Sequence, residues 1–211
     1  TIMAQGCATM EDDHNTHGAP LPPEEIYKTK EKLGLDPNEF FQLSDDVLED
    51  FRAGYDFARR ETAAWNLALE TRMSEASFEK SWNLAFSGDL PRIDLPAYEP
   101  SQKVATRKVW GPFIEKLAET YPTLVGGSAD LEPSNVTTGF AKLVEDFNKD
   151  NHRGRNFAYG VREFPMGTIN NGIALHGGMK VFGATFFVFS DYERPAIRLR
   201  ALQGLPVVSE Y

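Results

Sequence analysis

The second half of the chain alternates between short apolar runs and longer amphipathic segments. Short apolar runs are typical of buried strands, and apolar residues three or four positions apart are typical of helices. The runs that predict strands are residues 123–127, 157–161, 181–189 and 205–209. Helices are predicted around Trp110 to Leu117, over residues 163–176 and up to Gln203. Because strands and helices alternate, we expect an α/β fold with a mostly parallel sheet flanked by helices on both faces.

The first half of the chain is predicted to form one short strand and then helices. Pro23 near the start and Gly34 at the far end bracket a helix of about three turns. Ser44 and the aspartates after it begin a second helix. Apolar residues then recur near helical spacing from Phe51 to Leu69 through a polar segment. We interpret this segment as a helical arm lying on a surface.

Between the two halves lies a segment rich in proline. Pro91, Pro96 and Pro100 occur there without a sustained hydrophobic period, which indicates an extended linker. We therefore predict three parts, namely residues 1–87, a linker over residues 88–102, and a second domain over residues 103–211.

Composition and charge narrow the classes of partner. The chain has 211 residues and a formal net charge of −9, so its mean field disfavours a nucleic acid partner. Cys7 is the only cysteine, which excludes an intrachain disulfide and fits a cytoplasmic location. No apolar run reaches the roughly 18 residues that a membrane helix needs, so no membrane partner is expected. Both chain ends lie in or near apolar segments, which indicates a fragment of a longer protein.

Three polar segments follow predicted strands directly. They are residues 127–130, 162–164 and 189–192. In doubly wound sheets, ligands bind at the carboxyl ends of strands, so these segments are expected to converge on one site. Each segment alone also has a structural interpretation: an ordinary turn, a surface ion pair between Arg162 and Glu163, and core aromatic residues.

Short motifs follow one another along most of the chain. Gly126-Gly127-Ser128-Ala129-Asp130-Leu131, with Pro133-Ser134-Asn135 close behind, resembles a transketolase signature. The resemblance continues in residues 154–166, 171–178, 185–192 and 196–202, and upstream in residues 17–21 and 105–108. By this resemblance the chain is identified as an internal fragment of a transketolase, a thiamine diphosphate enzyme. Residues 1–87 then resemble the end of the diphosphate-binding domain, and residues 103–211 the first part of the pyrimidine-binding domain.

The resemblance implies an activity and an assembly. Transketolases reversibly transfer a two-carbon ketol unit from a ketose phosphate to an aldose phosphate in the pentose phosphate pathway, using thiamine diphosphate and Mg²⁺. They are homodimers whose active sites lie at the subunit interface. The family's Gly-Asp-Gly metal motif has no match here, so the Mg²⁺ ligands are expected outside this chain. The fragment alone is therefore expected to be inactive.

The resemblance also assigns cofactor contacts. Glu163 matches the glutamate that hydrogen-bonds the aminopyrimidine ring and activates the cofactor. Phe186, Phe189 and Tyr192 match the aromatic pocket around that ring. Phe164 and Met166 are expected to supply an apolar lining for Glu163. Asp130 is expected either to order its turn or to lie near the cofactor.

Substrate contacts are implied in the same way. Arg107 and Ser134 match the residues that hold the sugar phosphate, with a guanidinium and a hydroxyl suited to a dianion. His17 matches a histidine that touches both the cofactor and the reacting sugar. The structural alternatives are a solvated helix charge for Arg107, a turn hydroxyl for Ser134 and an exposed loop residue for His17.

Other functions fit parts of the same pattern. Dihydroxyacetone synthase and deoxyxylulose-phosphate synthase use related chemistry, and the chain would also suit the non-catalytic half of a split protein. The Arg107 and Ser134 pair favours a phosphorylated acceptor, and the loop at residues 17–21 favours transketolase over the synthases. Retention of Glu163 argues against a degenerate relative.

Overall fold

The computed structural model describes residues 1–86 and 92–211. They divide into two compact units, Thr1–Leu69 and Glu70–Tyr211, and each unit is described by itself. Residue 87 and the first part of the predicted linker, residues 88–91, lie outside the described residues. The division into residues 1–87, 88–102 and 103–211 therefore stays a prediction.

The first unit begins with turns, so the predicted short strand is wrong. Residues 1–22 contain no strand and only a short 3-10 helix, His14–Thr16. A strand needs a neighbour for its amides, but here a buried carboxylate takes that place. Glu25 accepts the N–H of Thr9 at 2.7 Å and of Met10 at 3.1 Å, and the Thr9 hydroxyl at 2.6 Å. These hydrogen bonds from Thr9, and then from Met10, lower the pKa of Glu25.

The helices of the first unit are α1 (Pro23–Lys32), α2 (Asp45–Ala53) and α3 (Tyr55–Met73), whose last turn belongs to the second unit. The predicted starts are confirmed: Pro23 opens α1, and aspartates fill the first turn of α2. Along the predicted arm, Phe51 is 73% exposed and Trp65 is 56% exposed. The arm therefore presents large apolar side chains on its surface within this unit.

The second unit alternates helices with parallel strands. Its elements are α4 (Ala76–Phe86), α5 (Thr106–Thr120), β1 (Leu124–Ser128), α6 (Thr138–Val144), α7 (Glu163–His176), β2 (Lys180–Ala184), a 3-10 helix (Phe187–Phe189), α8 (Ser190–Gln203) and β3 (Val207–Glu210). Within the described residues, β1, β2 and β3 form a parallel sheet in that order. The α/β fold with a parallel sheet is thus confirmed, and α7 has the predicted bounds.

Two of the strand predictions need correction. Residues 157–161 are not a strand: Phe157 donates one hydrogen bond to the Gly126 carbonyl at 2.7 Å, and the chain then leaves the sheet. The strand predicted over residues 181–189 ends at Ala184, and Phe187–Phe189 turn into a 3-10 helix. An apolar run shows that side chains avoid water, but not whether a neighbouring strand is there to pair with.

Helices cover both faces of this sheet. Adjacent residues of a strand point to opposite faces, as Phe182 and Gly183 show in β2. Phe182 packs edge-on against Phe140 of α6 at 4.9 Å between ring centroids, in a cluster that also contains Ile114 of α5. On the other face, a Cβ at Gly183 would lie 2.6 Å from the Asn170 side chain of α7. The expected coverage of both faces is therefore confirmed.

The helices α7 and α8 approach each other closely at Gly167. A Cβ built there would lie 2.8 Å from Cβ of Ala196, from Cγ of Glu193 and from its Oε1. Real Cβ atoms do not come this close to a neighbour, so only glycine fits at this position without moving α8.

The substitution Gly167→Ala is expected to destabilise the protein. The added methyl group must push α8 away or force Glu193 out of its buried place. Such overpacking lowers the free energy of unfolding by about 1–3 kcal/mol. Urea denaturation measures the change.

Gly172→Ala provides a matched control on the same helix. Nothing lies within 4 Å of a Cβ at Gly172, so the methyl group enters open space. Alanine favours helix over glycine, and this change should raise the free energy of unfolding by about 0.5–1 kcal/mol. Effects of the same sign at both glycines would contradict the close approach at Gly167.

Candidate functional site

A cleft of about 400 Å³ lies where the chain leaves the carboxyl ends of β1 and β2. We call it the Glu163 cleft, and its lining residues are Ala129, Asp130, Leu131, Val161, Glu163, Phe189 and Tyr192. The three segments expected to converge, residues 127–130, 162–164 and 189–192, all contribute to it. Its position agrees with the rule that ligands bind outside the carboxyl ends of parallel strands.

Glu163 is the first residue of α7 and is only 9% exposed. Its neighbour Arg162 directs its guanidinium to the Tyr159 carbonyl at 2.9 Å. The Tyr159 hydroxyl in turn donates to Asn170 Oδ1 at 2.5 Å, and burial raises the pKa of Tyr159. The loop before α7 is thus tied to the helix itself, which fixes the start of α7, where Glu163 lies.

The apolar surroundings of Glu163 differ from those expected. Met166 is 1% exposed and packs in the core with Ala129 and Tyr159, whereas Phe164 is 45% exposed. Neither lines the cleft; its apolar lining comes from Leu131, Val161 and the aromatic residues. Phe164 follows Glu163 directly and points about 100° away around the helix axis, whereas Met166, three positions on, packs into the core.

Three aromatic rings follow one another at spacings of three residues. Phe186 and Phe189 are parallel within 7°, with centroids 6.3 Å apart, and Phe189 and Tyr192 lie 6.2 Å apart at 27°. The 3-10 helix and the start of α8 produce this order, since residues three apart align in a 3-10 helix. Phe189 and Tyr192 face the Glu163 cleft, and Phe186 stacks on Phe189 without lining it.

The turn after β1 brings a carboxylate to the same cleft. Ser128 orders this turn, because its hydroxyl accepts the N–H of Leu131 at 3.1 Å and the Asn135 side chain at 2.9 Å. Asp130 has a φ of 60°, a left-handed conformation that aspartate tolerates better than most residues. The structure places Asp130 in the cleft lining, while Ser128 supplies the hydrogen bonds of the turn.

Arg107 and Ser134 both lie in the second unit. Arg107 lies in the first turn of α5 and lines a second cleft of about 410 Å³, the Arg107 cleft, with Trp110, Phe113 and Glu210 among its other residues. Ser134 is half-buried, and its amide donates to the Leu131 carbonyl at 2.9 Å. Ser134 therefore follows the turn that lines the Glu163 cleft.

Glu210 gives the Arg107 cleft an unusual carboxyl group. Burial raises the pKa of Glu210 from 4.5 to about 7, and the positive charge of Arg107 acts in the opposite direction. This group lies at the end of β3.

His17 belongs to the first unit. It is exposed, directly after the 3-10 helix His14–Thr16, and its amide donates to the His14 carbonyl at 3.1 Å.

Two of the lining residues, Leu131 and Val161, lie outside the segments predicted to converge. With Ala129 they form apolar walls of the Glu163 cleft. Val161 could have been predicted, because it ends an apolar run directly before the charged residues that begin α7. Leu131 follows Asp130 directly and carried no separate signal.

The described residues contain neither a candidate metal site nor a candidate membrane span. Among the described residues, no group of three or more His, Cys, Asp and Glu side chains lies close enough together to hold a metal ion. No helix in the described ranges is both long and apolar enough to cross a membrane.

Comparisons with known proteins cover nearly the whole chain. Residues 1–91 match the family model described as the transketolase thiamine diphosphate binding domain, and residues 102–209 match that of the transketolase pyrimidine binding domain. A transketolase of Halalkalibacterium halodurans is 43% identical over 197 residues, covering 92% of this chain and 29% of that relative.

Solved structures agree with the sequence matches. A transketolase from Leishmania mexicana has a TM-score of 0.82 and 34% identity, covering 99% of this chain and 31% of that one. A Pichia stipitis transketolase in complex with sedoheptulose 7-phosphate has a TM-score of 0.80 and 33% identity, covering 99% of this chain and 32% of that one. The chain thus spans about a third of the length of these relatives.

Glu210 is expected to make the protein less stable as the pH rises from about 4.5 to about 7. The unfolded chain loses this proton near 4.5, whereas the folded chain keeps it up to about 7. The folded state therefore binds more protons in this window, and the free energy of unfolding falls as pH rises. In Glu210→Gln this contribution is absent.

The measurement compares urea midpoints of the two proteins across the window. The stability of Glu210→Gln relative to the unsubstituted protein should increase as the pH rises through it. A constant difference between the two curves would contradict the raised pKa of Glu210.

Proposed function

The chain belongs to the transketolase family, and from this premise we propose that the full-length protein transfers a two-carbon ketol unit between sugar phosphates. The observation that carries the proposal is the Glu163 cleft, where one buried carboxyl faces Phe189 and Tyr192. The family models and the relatives support the same activity.

The residues of the Glu163 cleft fit the aminopyrimidine half of thiamine diphosphate. A flat ring with polar edges needs an aromatic face beside it and a hydrogen-bonding group at its edge. Phe189 supplies the face and Glu163 the edge group, at the end of a cleft of about 400 Å³. When bound, thiamine diphosphate supplies a nucleophilic carbon for cleaving the bond next to a ketone.

We propose that Glu163 acts through a single proton. With thiamine diphosphate bound, its carboxyl would donate a hydrogen bond to a ring nitrogen of the aminopyrimidine and so activate the cofactor. Leu131 and Val161 form the apolar walls beside this carboxyl. Arg162 donates a hydrogen bond to the Tyr159 carbonyl, so its guanidinium is held on the loop before α7.

The aromatic residues are proposed to hold the ring in place. Phe189 stacks on the pyrimidine, Phe186 supports Phe189 from behind, and Tyr192 closes the side of the cleft. A well-placed aromatic pair adds about 1 kcal/mol beyond the area it buries.

Arg107, Ser134 and His17 are proposed to serve the substrate. Arg107 and Ser134 supply a cation and a hydroxyl for the phosphate, and His17 donates a hydrogen bond to the cofactor and to a sugar oxygen. The Pichia stipitis relative, with sedoheptulose 7-phosphate, supports a phosphorylated sugar as substrate. An acidic chain of net charge −9 needs such local cations to bind an anion.

For the whole protein, we propose that Mg²⁺ and the diphosphate are held by residues outside this chain, because this sequence has no match to the family's Gly-Asp-Gly metal motif. The active site would lie at the interface of a homodimer in the cytoplasm, within the pentose phosphate pathway.

An assay of the full-length protein tests the proposed activity. With xylulose 5-phosphate as donor and ribose 5-phosphate as acceptor, the expected product is a seven-carbon ketose phosphate. Formation of product only with free formaldehyde or only from pyruvate would instead indicate one of the related synthases.

The Glu163→Gln substitution tests the role of the carboxyl. Glutamine keeps the size of the side chain but has no carboxyl proton to share, so turnover should fall by about 10²–10⁴-fold. The unfolding midpoint should stay the same, because the cleft is partly open. The control is Glu119→Gln, an exposed glutamate paired with Lys116, which should keep full turnover. Near-normal turnover of Glu163→Gln would refute the assignment.

A further inference from the structure

Two opposite charges lie buried inside the second unit. Glu193 and Arg200 of α8 form an ion pair at 2.9 Å, with side chains 1% and 10% exposed. Removing two charges from water costs several kcal/mol, and their attraction repays this only if the remaining hydrogen-bonding atoms are also satisfied. The stability of this pair therefore depends on the other hydrogen bonds of Glu193 and Arg200.

Both side chains make hydrogen bonds beyond the ion pair. Arg200 donates from Nη2 to Glu193, from Nε to Asn171 Oδ1 at 3.1 Å, and from Nη1 to Ser209 Oγ at 2.6 Å. The second oxygen of Glu193 accepts the Tyr211 hydroxyl at 3.0 Å. The pair thus connects α8 to Asn171 of α7 and to the end of β3. Because these bonds are directional, they permit one rotation of α8 against its neighbours.

Glu193 is connected to both sides of the Glu163 cleft. It is the residue after Tyr192, so its burial fixes the rotation of α8 that places Tyr192 at the cleft. On α7, Gly167 is one turn after Glu163 on the same face, and Glu193 lies against Gly167. The two sides of the cleft therefore meet at Glu193.

The charge of Glu193 also reaches the core beneath the cleft. Burial raises the pKa of Tyr159, and the nearby Glu193 carboxylate raises it further. Tyr159 packs with Ala129, which lines the cleft. Glu193 is thus near both Tyr192 and the core residues that pack beneath Ala129 of the Glu163 cleft.

We propose that the buried pair of Glu193 and Arg200 is a positioning device that holds Tyr192 and Phe189 opposite Glu163. Only the expected gain in cofactor binding rests on the proposed function; the positioning of Tyr192 and Phe189 does not. The pair touches neither cofactor nor substrate and acts through α8. A purely stabilising pair would have no such effect on the orientation of the aromatic wall.

Apolar replacement of both charges separates positioning from stability. Single changes such as Glu193→Gln leave Arg200 as a buried charge without its partner, so they lower the unfolding midpoint. The double variant Glu193→Leu with Arg200→Met removes both charges at similar volume, and such replacements commonly restore stability. It does not restore the directional bonds to Asn171 and Ser209.

The first measurement is fluorine NMR of the full-length protein with a fluorine-labelled tyrosine at position 192. In Glu193→Gln and in the double variant, the signal should shift or broaden. In the double variant this should happen even when the unfolding midpoint equals that of the unsubstituted protein. The matched control is Arg194→Gln, which breaks an exposed ion pair with Asp191 in the same helical turn and should leave the signal unchanged. A double variant whose stability and Tyr192 signal both match the unsubstituted protein would overturn the proposal, as would an unchanged signal in Glu193→Gln.

The second measurement is the affinity for thiamine diphosphate by calorimetry, in the presence of Mg²⁺. Both variants should bind about three- to tenfold more weakly, the scale of one lost aromatic contact, and Arg194→Gln should bind normally. Normal affinity in both variants would overturn the proposed benefit to cofactor binding. If the unsubstituted protein does not bind thiamine diphosphate at all, the proposed function fails, while the Tyr192 signal still decides the positioning role.

Discussion

The close approach of α7 and α8 is the constraint on which the site depends. At Gly167 there is no room for a Cβ between the helices, and the buried side chain of Glu193 fills the space beside it. Because α7 begins with Glu163 and α8 carries Tyr192 in its first turn, the distance between these helices sets the width of the cleft. A loosened contact would widen the cleft without removing any residue that lines it.

The cleft itself is made by chain segments that leave the sheet. Parallel strands end at a common edge, and here the turn after β1, the loop before α7 and the 3-10 helix after β2 all depart from that edge. Their apolar residues, such as Val161 and Phe189, have no neighbouring strand to cover them and so line a cavity instead. The same departure explains why β2 is shorter than its apolar run and why residues 157–161 form no strand.

Three glutamates show how the surroundings decide the use of one chemical group. Glu25 is held ionised by amide and hydroxyl donors and anchors a loop. Glu193 is buried against a guanidinium, which makes it a structural tie between helices and a strand. Glu210 lies in a half-buried place without such donors, and its pKa rises to about 7. None of these three environments is visible in the residue type or in its immediate neighbours along the chain.

Local sequence patterns were enough to predict the α/β class, the bounds of α7 and the convergence of Glu163, Phe189 and Tyr192 on one edge. These follow from local periodicity and from the rule that parallel strands share a carboxyl end. Three features depend on tertiary contacts instead: residues 157–161 leave the sheet, Phe164 and Met166 do not line the cleft, and Glu193 and Arg200 pair in the interior. Pairing partners and burial depend on segments distant in the chain, and a local pattern of polar and apolar residues does not contain them.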